Sequence, residues 1–488
     1  MSEWERRAEE FTEKISREFY LTWSGQKEKL EIEPIYREYE DLFSEEMVRE
    51  KLSEISENPP ASRYIAAMAA GEHIETRVKG ISEKISNSVL SATVEWKGKE
   101  IPYLQVPVIL VNEPDWKNRH ELEALALQVD AGLLPEREER LRQMHETAKS
   151  LGAQDYVDLY DKLQDVDLSA QAEWLQSFIE ETQEEYERQL FDRLEKAGVP
   201  PEEATASDIG YILRSKEFDH YFESRWMVPA LLETLKACGL SKGDDLPFTL
   251  DLEPRPKKSP RAFCAPVRVP DEVYLVIKPH GGRDDWDAFF HEAGHAEHFS
   301  HVPADLPFPV RVLGDNDLIE VYSFHMQYRM LEPSWVRDVV GMPSPDLDRY
   351  MSLARFAKLF LLRRYVAKLQ YELALHTGGL QRAGEIYKNT LERALLINIA
   401  AEKALSDVDD GFYSAQYLRA WVFEAMLREF LRKELGELWW RHPDSGDLLY
   451  QWWRRGQTKA LPELLPEIGK SGLELSPLIS DVLGQANV

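Results

Sequence analysis

The sequence predicts a mainly α-helical protein with a small β-sheet placed just ahead of one chemically distinctive helix. Three observations carry this expectation. Apolar residues recur at three- and four-residue intervals through most of the chain, the pattern of helices that bury one face. Two short regions replace that period with β-branched and aromatic runs bounded by turn residues. A hydrophobic content of 43% over 488 residues is ample for a large core.

Taken in order, helical periodicity runs through 4–22 and 34–56. A hairpin follows near 90–111: Ser91 to Trp96 and Ile101 to Val111 are β-rich runs, and Lys97-Gly98-Lys99 supplies the turn. Helices resume over 119–151 and 154–198, until Gly198-Val199-Pro200-Pro201 breaks the pattern. This break places a boundary at about 203, with a helical lobe over 1–203 and a second lobe over 204–488. The second lobe opens with a helix over 221–238. Three short apolar runs then predict a small sheet: Phe248 to Leu252, Arg261 to Ala265 and Val273 to Ile277. The last strand leads directly into a helix that Asp284 and Asp285 can cap after Gly281-Gly282, with Ala288, Phe289 and Phe290 as its apolar start. Near the C-terminus, Trp439-Trp440 and Trp452-Trp453 lie in charge-rich helical surroundings and read as anchors of the last helices on the core.

The distinctive helix carries His291-Glu292-Ala293-Gly294-His295. Two imidazoles one helical turn apart project from one face and can share a metal ion, while Glu292 sits beside them to handle a water molecule. Gly294 costs such a helix about 1 kcal/mol relative to Ala, which predicts a close neighbour against its backbone. A third ligand is expected from Glu320, in Gly314-Asp315-Asn316-Asp317-Leu318-Ile319-Glu320, twenty-five positions beyond His295. That distance accommodates a loop and a returning helix. Three protein ligands leave one position of a tetrahedral zinc open, as catalysis requires. One Zn2+ per chain is therefore expected on His291, His295 and Glu320.

Five of the twelve histidines fall between 280 and 301. His298 lies one turn beyond His295 and is read as packing or supporting a ligand rather than touching metal, and His325 as structural. Asp317 shares a helix face with Glu320 and is a candidate partner for a ligand imidazole.

Charge argues against several function classes. Lys+Arg 59 against Asp+Glu 87 gives a net charge of −28, which disfavours nucleic acid and anionic membrane surfaces as partners. The acidic residues are spread along amphipathic segments, as on solvated helix faces. Only Cys238 and Cys264 are present, and no apolar run reaches the length of a membrane span, so a cytoplasmic location is expected.

With these residues in hand, the region of about 245–485 resembles the thimet oligopeptidase and oligoendopeptidase F family of HExxH zinc metallopeptidases, as a divergent member. The resemblance rests on Asp251-Leu252 with Arg255, Lys258 and Ala262-Phe263, on the metal motif extended through His298, on the spacing of Glu320, and on Gly411-Phe412-Tyr413-Ser414-Ala415-Gln416-Tyr417. Pro443 to Gly446 and Gly456 resemble the family's closing helices. What the resemblance implies is a two-lobed helical bowl around a deep channel, with zinc at its floor and short unstructured peptides as substrates. It further implies that Glu292 is the general base and that Tyr413 and Tyr417 donate to the tetrahedral intermediate or the substrate carbonyl.

The chain also departs from that pattern. Asp407-Val408-Asp409-Asp410 stands where relatives carry a His before the Tyr pair, and Arg419 or Ala420 replaces a further Tyr. Glu320-Val321-Tyr322-Ser323 replaces the usual Pro-Ser-Gln continuation. Two alternatives to the oligopeptidase reading follow. One is a metallocarboxypeptidase using Arg419 or Arg255 to hold a C-terminal carboxylate. The other is a peptidase-derived protein with a non-peptide substrate or a binding role.

Overall fold

A computed structural model describes residues 2–241, 243 and 245–485 of the chain. It is mainly α-helical with two small sheets, as the periodicity predicts. The elements that matter below are α1 (Glu3–Trp23), the hairpin strands β1 (Thr93–Trp96) and β2 (Lys99–Pro102), and the strands β3 (Thr249–Asp251), β4 (Phe263–Arg268) and β5 (Glu272–Val276). They are followed by α2 (Arg283–His301), α3 (Asn316–Gln327), α4 (Ser344–Ala374) and α5 (Tyr413–Leu435).

Several predicted elements are subdivided. The helical stretch over 119–151 is two helices, Trp116–Gly132 and Leu134–Ser150, and that over 154–198 is three, Tyr156–Gln164, Leu168–Glu181 and Gln183–Lys196. Side-chain caps begin several of them: Asp155 accepts from the backbone N–H of Asp158, and Asp167 from that of Ala170. The hairpin is shorter than expected. Thr93 pairs with Pro102 at its open end, and the chain from Tyr103 to Leu110 is helical rather than extended. Pro107 sits in the first turn of the Val106–Leu110 helix, where its missing N–H costs nothing.

The chain forms two compact units, and they interleave along the sequence. The first comprises Met1–Ala70, Lys216–Ala354 and Arg419–Val488, and the second comprises Gly71–Ser215 and Arg355–Leu418. The sequential lobes 1–203 and 204–488 are therefore not the compact units, because the amino-terminal segment packs on the downstream sheet. Tyr20 of α1 stacks on Tyr274 of β5 with centroids 4.0 Å apart, Trp23 meets Phe263 of β4 edge-on at 5.8 Å, and Arg17 pairs with Glu272 at 2.9 Å. The backbone joins in as well, since Ser259 N–H donates to Trp23 O at 2.8 Å.

Within the first unit, the sheet has the order β3-β5-β4, with β3 parallel to β5 and β4 antiparallel to it. β4 is thus an edge strand. Asp251, at the end of β3, is clamped by Arg255 at 2.9 Å and by the buried Lys258 ammonium at 2.9 Å. Trp439, Trp440, Trp452 and Trp453 are all fully buried, so the C-terminal aromatics are core residues. In the second unit, Val94 and Ile101 of the hairpin bury against Val106, Leu122 and Ala126. Among the described residues no helix is long and apolar enough to cross a membrane.

Candidate metal centre

α2 is preceded by Gly282, whose φ of 95° is open to glycine at little cost. Asp285 in the first turn accepts from the Gly281 N–H at 2.7 Å and also from the His280 N–H. The carboxylate therefore holds the incoming loop, and its charge sits favourably at the helix start. Trp286, Phe289 and Phe290 are fully buried and turn the helix's apolar side into the core. The opposite side then presents His291, Glu292 and His295, which stay partly exposed.

α3 packs across this helix at Gly294. A Cβ at that position would lie 2.5 Å from Tyr322 O and 2.6 Å from Ser323 Cα. The close neighbour predicted for Gly294 is therefore the backbone of the helix that carries Glu320. This contact brings Glu320 to the two imidazoles: its Oε2 lies 3.3 Å from His291 Nε2 and its Oε1 3.5 Å from His295 Nε2. One ligand atom from each of the three falls within 4.8 Å of the others. The Glu320 side chain is 3% exposed, whereas those of His291 and His295 keep 16% and 13%. The two imidazoles thus keep some contact with solvent while the carboxylate is closed off.

Electrostatics agree with a cation site. Burial opposes charge on His291, but the Glu320 carboxylate and the Gln327 amide outweigh it and hold the imidazole up at about 9. His295, dominated by burial and repelled by a charged His291, is pushed down to about 4. The buried Glu320 carboxylate thus favours positive charge at the neighbouring rings. Two imidazole nitrogens and a carboxylate oxygen are a donor set that suits zinc.

Glu292 points to the sheet side. Its Oε2 accepts from the Cys264 N–H of β4 at 2.7 Å, and burial pushes its carboxyl up to about 7. The general-base candidate is thereby tied to the edge strand. Cys264 and Cys238 are both free thiols.

Other candidates take different places. His298 is buried with neither ring nitrogen bonded, and packs on Tyr322 at 4.8 Å and Phe299 at 4.9 Å. His301 stacks on Trp453 at 5.3 Å. His325 is buried, 3.2 Å from Arg329 Nη2. Asp317 is not a partner of a ligand imidazole, because its Oδ2 accepts from Arg419 Nε at 2.7 Å inside the core. The contact that a ligand imidazole does make was not expected: His291 Nδ1 lies 3.0 Å from Gln327 Oε1. The available signal was its position seven residues after Glu320, on the same helix face.

Tyr413 and Tyr417 lie in the second unit, in the first turns of α5, with rings 4.6 Å apart and edge to face. Tyr417 also meets Tyr365 of α4 at 5.6 Å. The acidic run before them is consumed by ion pairs. Asp407 takes Arg364 at 2.6 Å, Asp409 takes Lys368 at 2.8 Å and Asp410 takes Arg140 at 2.5 Å.

No protein-family model matches the sequence, and comparison with curated proteins gives no sequence match either. Comparison with solved structures does. A Bacillus anthracis protein assigned as an oligoendopeptidase F superposes with a TM-score of 0.70 at 14% identity, covering 98% of this chain and 89% of that one. PZ peptidase A in complex with an inhibitor gives 0.67 at 14% identity, covering 98% and 90%. A second protein assigned as an oligoendopeptidase F gives 0.67 at 15% identity, covering 98% and 89%. The resemblance read from the motifs holds at the level of the fold over nearly the whole chain.

Proposed function

We propose that the protein is a zinc-dependent oligopeptidase that hydrolyses peptide bonds of short, unstructured peptides. The observation that carries this reading is the convergence of His291, His295 and Glu320 within 4.8 Å, with Glu292 on the same helix. The fold shared with structures called oligoendopeptidase F and PZ peptidase supports it. His291, His295 and Glu320 would hold one zinc ion, which when bound supplies Lewis acidity toward water and a carbonyl group.

In the reaction, the water oxygen adds to the scissile carbonyl carbon and the C–N bond then breaks. Glu292 takes the proton from the attacking water and delivers it to the leaving amine nitrogen. Its carboxylate stands on the helix of the two imidazoles and is held from strand β4 by the Cys264 N–H. Tyr413 and Tyr417 are the proposed phenol donors to the developing oxyanion, a role that a neutral hydroxyl fills at neutral pH. The net charge of −28 and the two free thiols support a cytoplasmic protein that engages neither nucleic acid nor membranes.

Internal cleavage is favoured over carboxypeptidase action by the state of the two candidate arginines. Arg255 is committed to Asp251, and Arg419 is buried against Asp317. Neither is poised as a free clamp for a terminal carboxylate.

The test is turnover of a mixed library of peptides about five to twenty residues long by the zinc-loaded protein, read by mass spectrometry beside Glu292→Gln. Losing a general base typically costs about a hundred- to ten-thousand-fold in rate, and the variant is expected to retain zinc. Internal cuts that vanish in the variant are the expected result. Successive C-terminal losses would instead establish a carboxypeptidase. Zinc bound at one equivalent with no peptide cut would overturn the peptidase reading in favour of a non-peptide substrate.

A further inference from the structure

Gln327 closes α3 seven residues after Glu320, so the two side chains leave one face of the helix. Its Oε1 lies 3.0 Å from His291 Nδ1, and the Asp287 carboxylate lies near enough to the same side chain to be stabilised by it. Asp287 stands one turn before His291 on α2 and is held in turn by Arg283 at 2.8 Å. A line of contacts therefore runs from Arg283 through Asp287 and Gln327 to His291.

The chemistry of that line is directional. An amide group can face either way, and only its partners decide which end points where. A carboxylate accepts hydrogen bonds and donates none, so its charge favours the Gln327 Nε2 end on the Asp287 side. That leaves Oε1 facing the imidazole. An oxygen in that position accepts from a protonated Nδ1 whether the ring is charged or neutral, so Nε2 is the nitrogen left for Glu320 and a metal ion. Nε2 is the atom that lies 3.3 Å from Glu320. His295 has no comparable support, since its Nδ1 is buried without a hydrogen-bond partner.

We infer that Gln327, oriented by Asp287, is the positioning residue of the metal centre, fixing the His291 ring with Nδ1–H toward Gln327 and Nε2 toward Glu320. The inference rests on the metal site proposed above. It adds that the two histidines are unequal: one is preset by a four-residue relay and the other is held by packing. Removing such a partner characteristically weakens metal binding by about ten- to a hundred-fold.

The experiment is a competition titration of Zn2+ alone into the metal-free, full-length protein against a chromogenic chelator. It compares wild type with Gln327→Ala, Gln327→Glu, Asp287→Asn and the Gln327→Ala/Asp287→Asn double variant, each melted without metal to check its fold. Gln327→Ala is expected to bind zinc about ten- to a hundred-fold more weakly, with a metal-free melting temperature close to wild type. Gln327→Glu keeps an acceptor for Nδ1–H but loses the donor on the Asp287 side, so it is expected to recover only part of the affinity lost in Gln327→Ala. Asp287→Asn frees the amide to turn, so it should weaken binding in the wild-type background and add nothing once Gln327 is Ala. Zinc affinity of Gln327→Ala within about threefold of wild type would overturn the inference, as would an Asp287→Asn effect that persists in the double variant. A wild type that takes up no zinc would overturn the metal site itself, and the wild-type titration separates that outcome from failure of the relay alone.

Discussion

Gly294 shows how one residue can decide the geometry of the site. Alanine would gain about 1 kcal/mol of helix propensity at an open helical position. Here its Cβ would strike Tyr322 O at 2.5 Å and Ser323 Cα at 2.6 Å, and both obstacles are backbone of the helix bearing Glu320. Overpacking of this kind typically costs about 1–3 kcal/mol, and relief requires α3 to move away from α2. Gly294→Ala should therefore lower the melting temperature and weaken zinc binding together, as thermal melts and the chelator titration would read. A variant that melts at or above wild type would refute the account. The two histidines, their intervening carboxylate and the glycine were legible as residues because they are local in sequence. Gln327 was not, because its role depends on where a second helix ends, which only the packing of α3 on α2 establishes.

At the scale of elements, the loop before α5 is defined by what grips it. Gly411 and Phe412 both have left-handed backbones, with φ of 66° and 54°, a conformation that costs a non-glycine residue energy and persists only when its surroundings enforce it. Four contacts do so. Glu372 accepts from the Asp409 N–H at 2.7 Å and from Ser414 Oγ at 2.5 Å, Tyr156 Oη accepts from the Gly411 N–H at 3.0 Å, and Gln164 donates to Gly411 O at 2.7 Å. Behind them, His376 stacks on Tyr156 at 4.5 Å and bonds His145 at 2.7 Å. Burial pushes His376 down to about 3 from the ordinary 6.5. A folded imidazole that resists protonation contributes stability that is fully present above about pH 6.5 and is lost as the pH falls toward 3, at about 1.4 kcal/mol per unit. His376→Gln should thus lose less stability than wild type on acidification. Chemical denaturation at pH 7.5, 6 and 5 would show the difference between the two shrinking or reversing, and parallel pH profiles would contradict the buried neutral histidine. The acidic run before Tyr413 is explained at this same scale. Asp407, Asp409 and Asp410 anchor the loop through Arg364, Lys368 and Arg140.

For the whole molecule, the consequential feature is the interleaving of the two units. The first seventy residues belong with the sheet and the metal-centre helices rather than with the segment that follows them. Tyr20 shares a cluster with Ala265, Val267 and Val276, and Leu21, Phe263 and Tyr274 pack around it. Uncovering large apolar side chains costs about 1.5–3 kcal/mol each, and a fragment of residues 204–488 would uncover several at once. Such a fragment is expected to lack a cooperative thermal transition and to bind zinc poorly even though it contains every proposed ligand. Circular dichroism melts and the zinc titration would check this. A cooperative melt with one equivalent of zinc would restore the sequential lobes 1–203 and 204–488 as folding units.

Hydrophobic period, turn residues and local spacing are properties of neighbouring residues, and on those the sequence alone was sufficient. Helical character, the sheet ahead of α2, the pair of imidazoles with Glu292 and the demand for a close neighbour at Gly294 all come from residues a few positions apart. Tertiary structure decided what depends on contact between distant segments. It ended the hairpin at Pro102, broke the long periodic stretches into shorter helices, and withdrew Asp317 and Arg419 into a core ion pair. It also placed α1 on the sheet and turned Gln327 toward His291. Each of these follows from burial of surfaces remote in the chain, and the free energy of such burial is set by complementary shapes and paired polar groups that no local pattern encodes.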